Sequence, residues 1–338
     1  MSDAGERGLI DRIRRRVPPP PPGLVVGIGD DAAVAAPDRG AFQVLTTDAL
    51  VEGVHFDRRY SSAFDIGYKA LAVNVSDVAS MGGTPRFALL SLMLPPELAV
   101  ADVDALLDGL LELAALTGVA LAGGNITRSP GPLVVDVTVT GMVKPRKILT
   151  RAGARAGDSV YVTGRLGAAA AGLGWLRANV ADGATELVAR PDDPDLAECV
   201  ARHCRPEPRA RMGSLLGRNR AASACMDLSD GLADALTQLS CASGTGAAID
   251  AALLPLHPGA RAWFSAAGED PVQACMAGGD DYELLFTVPR RARGRLRAVI
   301  REGRGVPVTR IGEVTPDRAV ALLRDGIVQA LPSGFTHF

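Results

Sequence analysis

Residues 64–94 read FDIGYKALAVNVSDVASMGGTPRFALLSLML, and this stretch decides the fold class. Its first part is apolar or small on nearly every turn, lacks proline and stops at Gly82 and Gly83, which predicts a helix over about Asp65 to Met81. The run from Arg86 to Pro95 is short, continuous and apolar, as a buried strand is. Upstream lie two more predicted strands, LVVGIG (24–29) and FQVLTTD (42–48). Downstream come an amphipathic helix from Leu98 to Leu116, a strand GVALAGGN (118–125) that ends in glycines, and an alternating strand LVVDVTVTGMV (133–143). Interleaved helices and strands of both kinds give an α+β, or mixed α/β, protein.

The pattern resets around Lys144 to Lys147, where KPRKILTRAGARAGD is basic and irregular and SVYVTG then starts a new strand. The chain of 338 residues allows about two domains at roughly 150 residues each, and the boundary falls here, dividing 1–145 from 146–338. The second half carries a helix rich in small residues (166–178), the unit SACMDLSDGLADALTQLSCASG (223–244), a strand at 246–253, the stretch CMAGGDDYELLFTV (275–288) and closing strands near Val306 and Ala319. The run Pro18 to Pro22 is read as a stiff extended spacer, since each proline fixes φ and removes a donor.

Hydrophobic content of 47%, charged content of 22% and a net charge of −2 describe an ordinary globular chain without the basic stripe that nucleic acid requires. The longest strongly apolar stretch, Phe87 to Leu94, is far below the ~18 residues of a membrane span. The charged start has no signal-peptide core, so a cytoplasmic location is expected. Five cysteines, all in the second half, imply no disulfide framework. Cys199, His203 and Cys204 match no zinc spacing and read as part of a helix ending before Pro206.

Acidic residues gather beside glycines and at the ends of predicted strands: Asp30 and Asp31, Asp48, Asp227 and Asp230, then Asp280, Asp281 and Glu283. Any one of these is an ordinary turn; their repetition points to ligand handling. Asp77 lies in a nearly apolar helix and shares a face with Asn74, with Lys69 the only local cation, so a metal is the favoured partner. If these carboxylates converge, each like-charged pair at ~4 Å costs about 4 kcal/mol at an effective dielectric near 20, and cations must offset it. An all-oxygen donor set selects a hard ion, Mg²⁺ first and Mn²⁺ or Ca²⁺ after it, and such a site commonly holds a polyphosphate.

No Gly-Lys pair occurs, which excludes a Walker A loop, and GIGDDA lacks the third glycine of a dinucleotide fingerprint. Gly123, Gly124 and Asn125 offer a close backbone approach instead. The SDG turn offers a helix N-terminus near Asp230, capped by Ser229 or Asp230. Arg151, Arg128 and Arg146 are each placed to fold over a phosphate chain.

Taken in order, GIGDDAA, TTDALVEGVHF, YKALAVNVSDVASMGG, GGNITR, LTRAGARAGDSVYVTG, RHCRPEPR, DLSDGL, GGDDYELLFTV and GFTHF resemble the thiamine-monophosphate kinases of the aminoimidazole ribonucleotide synthetase-like superfamily. The resemblance runs from about residue 24 to the last residue and is thinnest in the middle of the second half. It implies two domains of that superfamily, the carboxy-terminal one an α/β sandwich, and a homodimer whose amino-terminal mixed sheets join into a barrel. It implies ATP-dependent phosphorylation of thiamine monophosphate to thiamine diphosphate with several Mg²⁺ ions, and leaves room for K⁺ beside them. The metal ligands it implies are Asp31, Thr46, Thr47, Asp48, Asp77, Asn125, Asp227 and Asp230, with turnover depending on Asp48, Asp77 and Asp230. ATP contacts map to Gly124, Asn125, Arg151 and Ser229, and substrate contacts to His55, Asp280 and Phe335. Two positions depart from the family pattern: Asn125 stands where GGD is common, and Asp280 stands where GGED is usual. An Asn oxygen ligates a metal without contributing charge, and Asp280 is one methylene shorter than Glu.

The acceptor is itself an ionised phosphate, so the implied transfer is direct and in line, needing positioning and charge neutralisation more than a general base. Two other readings compete: an ATP-dependent cyclo-ligase of the same superfamily, against which GVHF and GFTHF speak, and a non-catalytic ATP-binding paralogue, for which Asn125 is the one encouragement.

Overall fold

The structure, a computed structural model, describes residues 5–28, 32–181 and 187–334. Spatial proximity along the chain separates two units, one made of Met1–Val78, Thr84–Pro145 and Val180–Val188, the other of Ala79–Gly83, Arg146–Asn179 and Ala189–Phe338.

The first unit runs α1 (Gly5–Arg16), β1 (Leu24–Val26), β2 (Val34–Ala35), β3 (Phe42–Val51), α2 (Ala63–Ser80), β4 (Thr84–Leu94), α3 (Val100–Thr117), β5 (Ala120–Arg128) and β6 (Val134–Val143). Its main sheet has the order β3-β6-β4-β5 and is antiparallel except for β4 and β5, which α3 connects in parallel. Ser62 and Asp65 start α2 as a reciprocal pair, the Ser62 hydroxyl donating to Asp65 at 2.8 Å and accepting from the Asp65 N–H at 3.1 Å. On the inner face Val135, Val137 and Val139 are fully buried, as are most of the apolar residues of α2. The two long helices meet backbone to backbone: a Cβ on Gly67 would stand 1.8 Å from the Leu106 carbonyl oxygen, and one on Gly109 1.9 Å from that of Phe64. The opposite face of the sheet is open, with Leu45 66% and Leu89 41% exposed.

Two expectations change here. β3 continues through Thr46, Thr47 and Asp48 to Val51, so these residues are mid-strand and not at a strand end; β6 pairs with them down to Val51↔Val134. Likewise β5 runs through Gly123, Gly124 and Asn125 to Arg128. Gly124 is needed there for sheet packing, because a Cβ would lie 1.9 Å from the Leu90 carbonyl oxygen. Within the proline run, Pro18, Pro19, Pro20 and Pro21 line an apolar cavity of about 620 Å³ with Leu24, Ile28, Ala114 and Leu121.

The second unit contains β7 (Ser159–Thr163), α4 (Ala168–Asn179), α5 (Pro194–Cys204), α6 (Ala210–Asn219), β8 (Ala224–Asp227), α7 (Leu232–Ser243), β9 (Gly246–Asp250), α8 (Pro258–Ala266), α9 (Pro271–Ala277), β10 (Leu284–Val288), α10 (Arg293–Glu302), β11 (Val308–Thr315), β12 (Val320–Arg324) and β13 (Ile327–Gln329). They form a seven-stranded sheet of order β13-β12-β9-β11-β7-β10-β8, parallel only between β12 and β9. Strand alternation feeds two cores. Val160, Val162, Met226 and Leu285 pack on one side with α4, α5, α7, α8 and α9, whereas Cys225, Leu284, Phe286 and Val288 pack on the other with α6 and α10. Burial on both faces is why LLFTV in β10 is apolar without a break except for one fully buried threonine.

Candidate active site

Each unit carries one set of candidate residues. In the first, the pleat divides the set read along the chain. Thr46 faces α2, where its hydroxyl donates to Asp77 Oδ2 at 2.5 Å. Thr47 faces the other way and donates to Asp136 Oδ1 at 3.1 Å, with Thr138 Oγ1 3.0 Å away. Asn125 shares that open face, since it pairs across Ser91 with Asp136. Asp48, two residues after Thr46, alternates back to the α2 side. Thr46, Asp48 and Asp77 are therefore grouped, and the side chains of Thr47 and Asn125 are not with them. Asn74, one turn before Asp77, is fully buried; its Nδ2 donates to the Ala70 carbonyl at 3.1 Å, and its Oδ1 has no hydrogen-bond partner among the described residues.

His55 sits just past the end of β3 and is half-buried. Its Nδ1 accepts the Val51 N–H at 3.1 Å, which assigns the proton of the neutral ring to Nε2 and makes Nε2 a donor. Lys69, buried in α2, donates to the His55 carbonyl at 3.4 Å and ties this turn to the helix. Asp31 and Phe335 lie outside the described residues.

In the second unit, two loops that are distant in sequence are joined by backbone bonds. Beyond the β8–β10 ladder, Leu228 N–H donates to the Glu283 carbonyl at 2.8 Å, Tyr282 N–H to Leu228 at 3.0 Å and Asp280 N–H to Ser229 at 2.7 Å. Ser229 and Asp280 are thus neighbours. The approach is so close that a Cβ on Gly279 would lie 2.5 Å from the Ser229 carbonyl oxygen. Asp227, the last residue of β8, is buried. Helix α7 is capped neither by Ser229 nor by Asp230: the N-cap is Gly231, at φ +93°, with no side-chain cap bond. Any Cβ there would press on the carbonyl oxygens of Met276, Ala277 and Gly278. Arg151 is bonded through its guanidinium to Gln238 of α7, so it belongs to the helix that follows the SDG turn. No such bond is described for Arg128 or Arg146.

The acids around the second loop have separate tasks. Asp281 is half-buried and accepts the Gly167 N–H at 2.7 Å and the Ala169 N–H at 3.2 Å at the start of α4; desolvation pushes its pKa up to about 7 against those two bonds. Glu283 accepts from Arg209 Nε and from Thr163 Oγ1, each at 2.6 Å, and is buried with Arg209. Asp280 stays partly open, with its carboxylate 3.2 Å from the Tyr282 hydroxyl and 3.6 Å from His203 Nδ1. These acids precede β10 instead of ending a strand. His203, Arg209 and Tyr282 were not among the candidates. The available signal was His203 itself, which falls on the buried face of α5 with Cys199 and Val200, where a polar residue needs a partner. Cys199 lies 3.3 Å from His257 Nδ1, and burial raises its pKa to about 12, so it is an inert thiol.

Among the described residues no three His, Cys, Asp or Glu side chains form a ready metal cage. The candidate donors are nevertheless all hard oxygens, Thr46, Asp48 and Asp77 grouped in one unit and Asp227 and Asp230 near in sequence in the other, and Asn74 Oδ1 is a buried oxygen without a hydrogen-bond partner among the described residues. That chemistry fits Mg²⁺ and does not fit a soft metal.

Two family models match the chain: AIR synthase related protein, N-terminal domain, over residues 29–143, and AIR synthase related protein, C-terminal domain, over residues 155–324. A thiamine-monophosphate kinase of Escherichia coli (strain K12) is 39% identical over 336 residues, 99% of this chain and 98% of that protein. One from Bacillus subtilis (strain 168) is 35% identical over 323 residues, 93% of each. The crystal structure of a thiamine-monophosphate kinase from Stenotrophomonas maltophilia K279a superposes with a TM-score of 0.82 at 37% identity, covering 96% of this chain and 98% of that one. A structure of AaThiL complexed with AMPPCP and TMP superposes with a TM-score of 0.77 at 32% identity over 100% of this chain and 98% of that one. Hydrogenase maturation protein HypE, at 19% identity and a TM-score of 0.76 over 97% of this chain and 98% of that one, shares the fold alone.

Proposed function

The chain belongs to the thiamine-monophosphate kinase family, and we infer that it catalyses ATP-dependent phosphorylation of thiamine monophosphate to thiamine diphosphate. The observation that carries this reading from the chain's own geometry is the bond from Asp280 N–H to the Ser229 carbonyl at 2.7 Å. It joins the loop that resembles the family's ATP-binding turn to the loop that resembles its substrate-binding turn, so donor and acceptor are held from one rigid ladder. Orientation of this kind is most of what phosphoryl transfer asks of a protein.

The γ-phosphoryl group passes in line to the terminal phosphate oxygen of thiamine monophosphate. Ser229 and the uncapped N-terminus of α7 receive ATP phosphate oxygens, and Arg151 lies over the phosphate chain. Gly124 and Asn125 complete the ATP contacts. His55 donates from Nε2 to the acceptor phosphate, Asp280 meets the thiamine moiety and Phe335 stacks on one of its rings. Asp31, Thr46, Thr47, Asp48, Asp77, Asn125, Asp227 and Asp230 would hold Mg²⁺, with K⁺ as a further cation. Bound Mg²⁺ supplies neutralisation of the triphosphate charge as the bond transfers. Asp48, Asp77 and Asp230 are the carboxylates on which turnover depends.

The catalytic unit is a homodimer. Support comes from the open sheet face of the first unit, where Leu45 and Leu89 are exposed side chains that a second copy would cover, closing two four-stranded sheets into a barrel. Residues 1–145 and 146–338 are its two domains. No described helix is long and apolar enough to cross a membrane, and a reaction between ATP and a phosphorylated metabolite belongs in the cytoplasm.

Asp48→Asn and Asp77→Asn test the site. ADP release that requires thiamine monophosphate is expected in the parent protein and lost in both variants, with circular dichroism unchanged. Near-normal ADP release from both would remove the metal assignment.

A further inference from the structure

The loop 279–283 is built to point neighbouring side chains in different directions. Asp280 and Tyr282 both occupy the left-handed region, at φ +68° and +49°, which non-glycine residues rarely adopt and which costs each on the order of 1 kcal/mol. With that backbone Asp281 turns to the N–H groups of Gly167 and Ala169 at the start of α4, while the Asp280 side chain, 31% exposed, turns to His203 and Tyr282. Beneath Asp280 lie two buried residues, His203 at 3% exposure and Tyr282 at 7%. The Tyr282 hydroxyl donates to Asp280 Oδ1 at 3.2 Å, and His203 Nδ1 stands 3.6 Å from Oδ2. A carboxylate part-exposed on one side, hydrogen-bonded at one oxygen and faced by an imidazole nitrogen at the other from the buried side, has its orientation restricted before any ligand arrives.

We propose that His203, assisted by Tyr282, is a positioning residue for substrate recognition: it orients the Asp280 carboxylate toward the cationic, amine-bearing ring portion of thiamine monophosphate. The proposal rests on Asp280 being a substrate contact. His203 carries its proton on Nδ1 for this purpose, and ligand binding shortens the 3.6 Å separation to a hydrogen bond. Helix α5 supplies the histidine from its apolar face, so the grip is as rigid as the packing of Cys199 and Val200 around it. With Asp in place of Glu, the carboxylate lies one methylene nearer the backbone and within reach of this pair.

Steady-state kinetics on the full chain test it. His203→Ala should raise the KM for thiamine monophosphate about tenfold while the KM for ATP and kcat stay within about twofold, the size expected for losing one hydrogen bond to a charged group. His203→Asn, whose Nδ2 can replace Nδ1, should recover most of the loss, and Tyr282→Phe should raise the same KM by about threefold. The His203→Ala/Asp280→Ala double variant should be no worse than Asp280→Ala alone. Multiplicative effects in the double variant, or equal damage to both KM values and kcat, would overturn the proposal. If Asp280→Ala itself leaves the KM for thiamine monophosphate unchanged, the substrate role of Asp280 fails and the proposal with it. That outcome differs from an impaired Asp280→Ala beside a normal His203→Ala, which removes the positioning role only. Should His203→Ala not fold, Tyr282→Phe decides the matter: a rise confined to the KM for thiamine monophosphate supports the proposal, and an unchanged KM overturns it.

Discussion

Asp281 shows how a single carboxylate can trade stability for position. Burial lifts its pKa from 3.8 to about 7 while two N–H groups at the start of α4 hold it in place. A folded pKa above the unfolded one means the native state holds a proton that the unfolded chain releases. The contribution to stability is therefore complete below about pH 3.8 and lost as pH rises through about 7. The melting temperature of the parent protein should fall relative to Asp281→Asn between these limits, and parallel melting curves would show that Asp281 does not titrate there. Glu283 is bound more tightly still: Glu283→Gln leaves buried Arg209 only the more exposed Glu207 as charge partner and should cost about 3 kcal/mol, read as a lowered urea midpoint. Asp281 and Glu283 were legible in the sequence as acids near a site, but not in their tasks, because Gly167 and Arg209 are far away along the chain and no local pattern links them. The placement of Asp227 at the end of β8 and of Ser229 in the turn before α7, by contrast, was legible, since that strand, turn and helix are contiguous.

At the scale of elements, glycines mark where the backbones touch. Gly67→Ala would drive a Cβ into the Leu106 carbonyl and Gly109→Ala one into that of Phe64, so α2 and α3 would have to separate. Each should cost about 1–3 kcal/mol, visible as a lower melting temperature, and no change in either would show that the helices pack elsewhere. Helix α2 was readable to within two residues at its start and one at its end, because apolar patterning, the Ser62 and Asp65 cap and the following glycines all agree. The ends of β3 and β5 were misread for one reason. Thr47, Asp48, Gly123 and Gly124 look like turn formers, yet the β6 and β4 ladders continue through them. Pairing partners override local propensity in sheets.

For the whole molecule, the α/β composition and the two-part character followed from patterning, whereas the open face of the four-stranded sheet became visible only with the strand order. Apolar side chains such as Leu45 and Leu89 on that face require a cover. Light scattering should give twice the chain mass for the parent protein and a monomer for Leu45→Glu; a monomeric parent would remove the dimer. The central claim is the transfer itself. In a single turnover with ATP labelled in its γ-phosphate, the label should appear in thiamine diphosphate, only when thiamine monophosphate is present, and none should remain on the protein. Absence of labelled thiamine diphosphate, or ADP formed equally fast without thiamine monophosphate, would contradict it.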